Sequence, residues 1–204
     1  MSAPFENRLN QVIDRLLSRE LLSNAGLGNE IGFYIFDYEP EYELQVRRFI
    51  QTIEEQLARR RPDLAFTHVN LFRLIIDYLR ERKLLDRAFQ LQKEKGDEAL
   101  LKALKGPLEA RKIASCLAQA ARPEEHDLVL MSGIGSSWPM LRTHNLLNCL
   151  HPLMQDTPLI IFYPGRYDGQ GLRLFGRLNK SNYYRAFRLV PPLKQDQRST
   201  VHAD

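Results

Sequence analysis

Four short apolar runs, separated by stretches with helical periodicity, constrain the fold of this chain more than any other feature of its sequence. The runs are rich in β-branched and aromatic residues and occupy residues 31–37, 64–70, 127–131 and 158–163, and a fifth strand is predicted over residues 183–190. Strands that alternate with helices favour a parallel sheet that is buried on both faces. The sequence therefore predicts an α/β fold of the three-layer, Rossmann-like kind, with a mostly parallel sheet of about five strands and helices on both faces.

The stretches between these runs carry apolar residues at helical spacing. They predict helices over residues 4–22, 41–60, 71–82, 84–95, 98–103 and 107–121, and one more from Trp138-Pro139 to about Leu150. Breaks are expected at residues 23–28, at Gly96 and at Gly106-Pro107. Because proline disfavours helical geometry in the residue before it, Pro152 predicts that the last helix ends at His151.

The chain is expected to form one domain. No internal repeat and no linker rich in Pro, Gly or Ser divides its 204 residues, and a chain of this length can bury one sizeable core. We therefore predict a single domain over residues 1–204, in which about residues 194–204 form a polar, flexible tail.

The charge of the chain is only mildly basic, with 29 Lys and Arg against 25 Asp and Glu and a formal net charge of +4. A dedicated nucleic-acid module usually carries a clustered basic stripe. The densest cluster here is Arg59-Arg60-Arg61, at the predicted end of a helix, where cations oppose the helix dipole. We interpret the cluster as helix-end charge or, alternatively, as a patch that contacts phosphate.

Cysteine and histidine spacings indicate neither a metal site nor a cofactor. The two cysteines form no CxxC motif, and the five histidines are scattered with no HExxH motif (His68, His126, His144, His151 and His202). A basic-then-apolar leader and a long apolar run are also absent from the sequence. These features predict a cytoplasmic protein that does not associate with a membrane.

Polar residues follow three of the predicted strands, in the segments Asp37-Tyr38, Gly133-Ile134-Gly135-Ser136-Ser137 and Tyr163-Pro164-Gly165. In open α/β sheets, ligands bind in the crevice at the carboxyl ends of the strands. We therefore expect the three segments to share one edge of the sheet and to include the functional residues.

The glycine segment has part of the pattern of a phosphate-binding loop, with Gly133, Gly135 and Ser136 as its candidate residues. The third glycine of a dinucleotide fingerprint is replaced by Trp138, whose indole would block close packing of the helix on the strand. A Walker-type loop is also absent from the sequence. Dinucleotide binding and Walker-type ATP hydrolysis are therefore not favoured.

A second candidate is the polar face of the helix that follows. Arg142, Asn145 and Asn148 are spaced three apart and line one face, with His144 beside them. These residues predict contact with a ligand or a partner; alternatively, the two amides satisfy backbone groups of loops. His144 alone does not indicate catalysis, because a catalytic histidine needs a nucleophile and an orienting group.

The third candidate is the dense turn over residues 163–169. Proline and glycine fix its backbone, while Tyr163, Arg166, Tyr167 and Asp168 supply side chains. Tyrosine and arginine commonly anchor protein contacts, so the turn is either a recognition surface or a purely structural loop.

Taken together, these segments resemble the BrxB family of bacterial BREX (bacteriophage exclusion) systems. The resemblance rests on residues 31–40 with Glu43, Val46 and Arg47, on residues 141–148, on residues 162–169 with 172–176, and on residues 182–187. It spans nearly the whole chain in the expected order, and the block over residues 162–176 is its most specific part.

The resemblance implies an accessory component of a phage-defence system, non-catalytic, which assembles or regulates a methylation and defence complex. The implied partners are other BREX components, with the alkaline-phosphatase-like PglZ first and the methyltransferase and large ATPase after it. Contact with nucleic acid is implied only indirectly, and the family offers no catalytic residues to transfer.

Two other functions remain open. The first is a nucleotide- or nucleic-acid-binding subunit that uses the strand-end loops, through Asp37, Gly133, Gly135, Ser136 and Arg142. The second is an enzyme. It is the least favoured, because the sequence has no GxSxG elbow and no pair of carboxylates at positions that would indicate catalysis.

Overall fold

The structure, a computed structural model, describes residues 3–22, 32–177 and 186–192. Five predictions lie outside the described residues: the break at residues 23–28, the start of the first strand at Ile31, residues 183–185 of the fifth strand, the tail over residues 194–204, and His202.

Eight helices lie in the described part of the chain. They are α1 (Ala3–Leu16), α2 (Arg19–Leu22), α3 (Glu43–Arg60), α4 (Leu71–Glu81), α5 (Leu85–Leu104), α6 (Ala110–Ala121), α7 (Ile134–Ser137) and α8 (Thr143–Met154). Short 3-10 turns precede α3 and β3, at Pro40–Tyr42 and Pro123–Glu125. The predicted break at Gly96 is confirmed, because its φ of +78° interrupts α5.

The described strands are β1 (Phe33–Tyr38), β2 (Phe66–Asn70), β3 (Leu128–Ser132), β4 (Leu159–Tyr167), β5 (Leu172–Leu174) and β6 (Phe187–Arg188). Five of them form a parallel array in the order β2-β3-β4-β1-β6, and β5 pairs antiparallel with the end of β4. The prediction of a mostly parallel sheet is therefore confirmed.

Alternate residues of the strands point into two separate cores, one on each face of the sheet. The core beneath α4, α6 and α8 includes Val69, Ile75, Leu117, Met131, Leu146 and Ile161. The core beneath α1 and α3 includes Phe5, Val12, Phe36, Ile53, Leu130 and Phe162. Helices thus cover both faces, as the three-layer prediction requires.

Several local predictions are wrong. The helix predicted over residues 4–22 is divided into α1 and α2, and the helix predicted from Trp138 begins only at Thr143, after the short α7. Helix α8 continues past His151 to Met154 with Pro152 inside it. Proline removes one backbone hydrogen bond, but Leu146, Leu147, Leu150 and Met154 keep the helix packed on the core.

The turn predicted over residues 163–169 is mostly strand. Strand β4 runs through Pro164 and Gly165 to Tyr167, because Pro164 pairs with Tyr38 and the next residues pair with β5. The turn itself begins at Asp168, whose Oδ1 accepts hydrogen bonds from the backbone N–H groups of Gln170 (3.0 Å) and Gly171 (2.8 Å).

Candidate functional site

The carboxyl ends of β1, β3 and β4 meet where the chain changes from one face of the sheet to the other. After β1 the chain continues to α3 on one face, after β3 it continues to α8 on the opposite face, and β4 lies between those two strands. Such a switch point is where open α/β sheets form a crevice. The structure therefore brings together the three strand-end segments that the sequence singled out.

Asp37 lies at the centre of this crevice and is 7% exposed. Its Oδ1 accepts a hydrogen bond from Arg8 Nη2 (3.1 Å), and its Oδ2 accepts one from the backbone N–H of Tyr167 (3.0 Å). Arg188 Nη2 completes the set at 3.6 Å from Oδ2. We call Asp37, Arg8, Arg188 and Tyr167 the Asp37 cluster; in it the chain's own groups bind the carboxylate.

Arg8 was not among the residues predicted from the sequence. This residue comes three positions after Phe5 and four before Val12, so it lies on the apolar stripe of α1 and is itself only 7% exposed. Its guanidinium lies 5.0 Å from the centre of the Phe36 ring and also donates to the Asp37 carbonyl oxygen (2.9 Å). A charged residue on an apolar stripe is the signal that predicts a buried partner.

A second set of polar contacts ties the end of β1 to the glycine segment. The Tyr38 hydroxyl donates to Glu43 Oε2 (2.6 Å), Arg47 Nε donates to Glu43 Oε1 (2.8 Å), and Arg47 Nη2 donates to Ser136 Oγ (2.9 Å). Burial, followed by the charge of Glu43, raises the pKa of Tyr38, so the phenol keeps its proton. These contacts fix the loops relative to α3.

The glycines of this segment pack against protein atoms. Gly133 has a φ of +77°, and a Cβ there would collide with the Asn70 side chain, which caps α4. A Cβ at Gly135 would lie 2.9 Å from Pro164 Cγ and 3.2 Å from Phe175 Cε1. Both glycines therefore permit close packing between elements, and protein atoms fill the space beside their Cα atoms.

The two tyrosines of the β4–β5 hairpin belong to the core. Tyr163 and Tyr167 are each 1% exposed, and burial raises the pKa of Tyr163. The Tyr167 hydroxyl donates to the Ala186 carbonyl oxygen (2.6 Å). For these two rings the burial supports the alternative of a structural role, because the strand that carries them is buried.

Two other residues of the hairpin reach solvent. Arg166 Nη2 donates to Glu39 Oε1 (3.0 Å), with 42% and 44% of the two side chains exposed. Asp168 is exposed at the turn. We call Arg166 and Asp168 the hairpin tip.

Polar residues of α8, and Arg142 directly before it, are exposed. Arg142, Asn145 and Asn148 all face solvent, and we call them the α8 face. Within the described ranges neither amide has a hydrogen-bond partner, so the structure gives no support to their role in satisfying loop backbone.

His144 is half-buried, and burial, followed by the charge of Arg142, lowers its pKa. Helix α8 begins at the carboxyl edge of the sheet and runs to the start of β1, where the His151 ring lies 5.8 Å from that of Phe33.

One further cluster was not predicted. His68 on β2 has its Nδ1 2.7 Å from Glu54 Oε1 on α3 and its Nε2 2.8 Å from Ser132 Oγ at the end of β3. Burial lowers the pKa of His68, and Glu54 partly opposes this effect. The three residues are distant in sequence, and the register that places Asn70 beside Ser132 brings them together. We call them the Glu54–His68–Ser132 relay.

Over residues 3–22, 32–177 and 186–192, no group of three or more His, Cys, Asp or Glu residues could hold a metal ion. The helices of these same ranges include none that is long and apolar enough to cross a membrane.

Comparison with known proteins identifies the family. The model of the family described as BREX protein BrxB matches residues 67–189. The chain is 43% identical over 186 residues to the BREX protein BrxB of Escherichia coli O9:H4 (strain HS), covering 91% of this chain and 92% of that protein. It is 36% identical over 185 residues to the BREX protein BrxB of Bacillus cereus (strain H3081.97), covering 90% and 96%. No solved structure gives a significant match.

The family match covers nearly all of β2 and the chain from there to β6, whereas β1, α1 and α3 with Asp37, Arg8 and Arg47 precede it. The two relatives extend the similarity over nine-tenths of the chain. The resemblance inferred from separate blocks of sequence is therefore confirmed, and the chain belongs to the BrxB family of BREX proteins.

Proposed function

We propose that the chain is an accessory component of a BREX phage-defence system in the cytoplasm, and that it assembles or regulates the defence complex by binding another BREX protein. PglZ is the first partner to test, followed by the methyltransferase and the large ATPase. Membership of the BrxB family supports the assignment to a BREX system. The surface of the protein supports the proposal that it acts by binding another protein.

The observation that carries the proposal is the α8 face. Its guanidinium and two amides are exposed on a helix whose other side is anchored in the core. Unpaired amides on a rigid element can form hydrogen bonds to a partner with little loss of conformational freedom.

An exposed aromatic ring lies in the chain segment that leads to this face. Trp138 is 41% exposed, and its ring meets that of Phe175 edge-on with 6.0 Å between centroids. Tryptophan and arginine are enriched among the residues that contribute most to protein binding. Trp138, the α8 face and the hairpin tip form the surface that we assign to a partner.

The test is co-purification of the tagged chain from cells that express its own operon. Arg142→Glu combined with Asn145→Ala should reduce recovered PglZ by about tenfold or more, which corresponds to about 1.4 kcal/mol of binding free energy. The matched control is Arg87→Glu with Gln90→Ala, which makes the same charge change and also removes a side-chain amide on the exposed side of α5.

The control variant should recover PglZ as the unmodified chain does. Equal recovery by both variants would remove the α8 face from the proposal. Loss of recovery in both would show that the assay responds to surface charge rather than to a site.

Nucleotide or nucleic-acid binding at the strand-end loops is the alternative. It has less support, because Asn70, Pro164 and Phe175 fill the space around Gly133 and Gly135. A rise in melting temperature with a nucleotide, or DNA retardation that weakens with salt, would favour it over the protein partner.

A further inference from the structure

The Glu54–His68–Ser132 relay has the order of groups that activates a serine. Ser132 Oγ lies 2.8 Å from His68 Nε2, and the other ring nitrogen lies 2.7 Å from Glu54 Oε1. In such a set the imidazole takes the hydroxyl proton, while the carboxylate fixes the tautomer and orients the ring. Both distances fall within the range that proton transfer requires.

The environment of His68 suits a general base. Burial lowers the pKa of the ring, so it is uncharged at neutral pH and Nε2 is free to accept a proton. Because Glu54 accepts the proton of Nδ1, the lone pair is directed at Ser132.

The backbone also places Ser132 at a sharp turn between a strand and a helix. It is the last residue of β3, and the chain turns sharply at Gly133 (φ +77°) into the short helix α7. Activated serines of α/β hydrolases lie at a comparable strand-to-helix turn. Ser132 is 5% exposed, whereas 22% of the His68 side chain and 38% of the Glu54 side chain reach solvent, so access is narrow and favours a small acyl group.

We propose that Ser132 is the nucleophile of a second site, which hydrolyses small carboxylic esters. Ser132 Oγ attacks the ester carbonyl carbon as His68 Nε2 takes its proton; the bond to the alcohol then breaks, and His68 returns the proton to the leaving oxygen. Water attacks the acyl-serine through the same proton exchange. Ester and water thus give acid and alcohol, with no other reactant.

This site is independent of the partner surface. The relay lies on the side of the sheet that α3 covers, whereas α8 covers the opposite side. Loss of PglZ binding in the α8 variants and loss of serine reactivity are therefore separate outcomes.

The experiment treats the full chain with a fluorophosphonate probe and maps the adduct by mass spectrometry. We expect one adduct on Ser132, its absence in Ser132→Ala, and labelling that is about 100-fold slower in His68→Gln. Ser115→Ala removes an exposed hydroxyl on α6 and should label at the unmodified rate. Hydrolysis of p-nitrophenyl acetate should be lost in the same two relay variants.

A relay that only holds α3 on the sheet would change stability but not reactivity. No adduct on Ser132 in the folded protein, or an equal labelling rate in His68→Gln, would overturn the proposal. If His68→Gln fails to fold, Glu54→Gln replaces it, because it keeps the size of the side chain; labelling should slow by about tenfold or more, and an unchanged rate would overturn the proposal equally.

Discussion

The Asp37 cluster and the α8 face use the same kinds of side chain for opposite purposes. Asp37 is 7% exposed and is surrounded by two guanidiniums and a backbone N–H. Asn145 and Asn148 are exposed, with no hydrogen-bond partner among the described residues. Burial with internal pairing of the carboxylate marks a polar residue that stabilises the fold, and exposure without pairing marks one that is available to a partner.

The two regions also differ in what a substitution costs. Removal of one partner from a buried ion pair leaves a charge without water or a counter-ion, which destabilises a protein by about 3–5 kcal/mol. Substitutions on an exposed surface usually change stability by less than about 0.5 kcal/mol. Unfolding experiments therefore test the comparison directly.

The largest effect is expected for Asp37→Ala. It leaves the buried Arg8 and the half-buried Arg188 without their carboxylate, so the free energy of unfolding should fall by about 3–5 kcal/mol in urea denaturation. Asp14→Ala is the control, since Asp14 is paired with Arg60 at 3.3 Å but is 73% exposed, and its cost should stay below about 1 kcal/mol. Similar losses of unfolding free energy in the two variants would contradict the distinction between the buried and the exposed ion pair.

Gly165→Ala should have the next largest effect. Its Cβ would collide with the Arg173 carbonyl oxygen and lie 2.9 Å from Tyr163 Cε1, so β4 and β5 must separate. We expect a loss of about 1–3 kcal/mol by the same method. Gly106→Ala, with no atom within 4 Å of the added Cβ, should lose nothing measurable; an equal loss there would contradict the packing argument.

The free energy of unfolding should depend on pH through His68, because this half-buried side chain tests how burial changes the energetics of a polar residue. The unfolded chain binds a proton at His68 near pH 6.5, whereas the folded protein binds it only at lower pH. Stability should therefore be complete above about pH 6.5 and should fall as the pH drops from there towards the lowered pKa. His68→Gln should flatten this slope in urea denaturation between about pH 5 and 7.5. His144→Gln provides the comparison, since its lowered pKa predicts a slope of the same sign. If His68→Gln leaves the slope of the unfolding free energy against pH unchanged, that slope does not come from His68.

The smallest effect on stability is expected on the α8 face. Arg142→Ala with Asn145→Ala should shift the free energy of unfolding by less than about 0.5 kcal/mol, because neither side chain contributes a buried contact. The measurement is the same urea denaturation. A loss above about 1 kcal/mol would mean that the face is part of the fold, not a free surface.

Much of the fold could be predicted because buried parallel strands have continuous apolar sequences, as in residues 159–163. The shared edge of Asp37, Gly133 and Tyr163 followed from the same reasoning. The hairpin was missed because proline and glycine are local turn signals, whereas pairing with β5 decides the conformation of residues 164–167.

The polar clusters were less predictable, since tertiary packing creates them. The relay requires β2 beside β3 and α3 above them, and strand order is not encoded in local periodicity. Burial of Tyr167 likewise depends on contacts with Ala186 and Asp37, which are 19 and 130 residues away.

The contacts of Arg8 have a consequence for biosynthesis. Its guanidinium reaches both Asp37 and, at 3.5 Å, the carbonyl oxygen of Val190, a residue 182 positions further along the chain. Arg188, from the same late segment, pairs with the same carboxylate. While translation is in progress, Asp37 lacks one of its counter-ions until that segment leaves the ribosome. Because Arg8 and Asp37 already balance each other's charge, the late segment adds a second guanidinium and a carbonyl acceptor, and the contacts of this cluster are complete only after residues 188–190 have been synthesised.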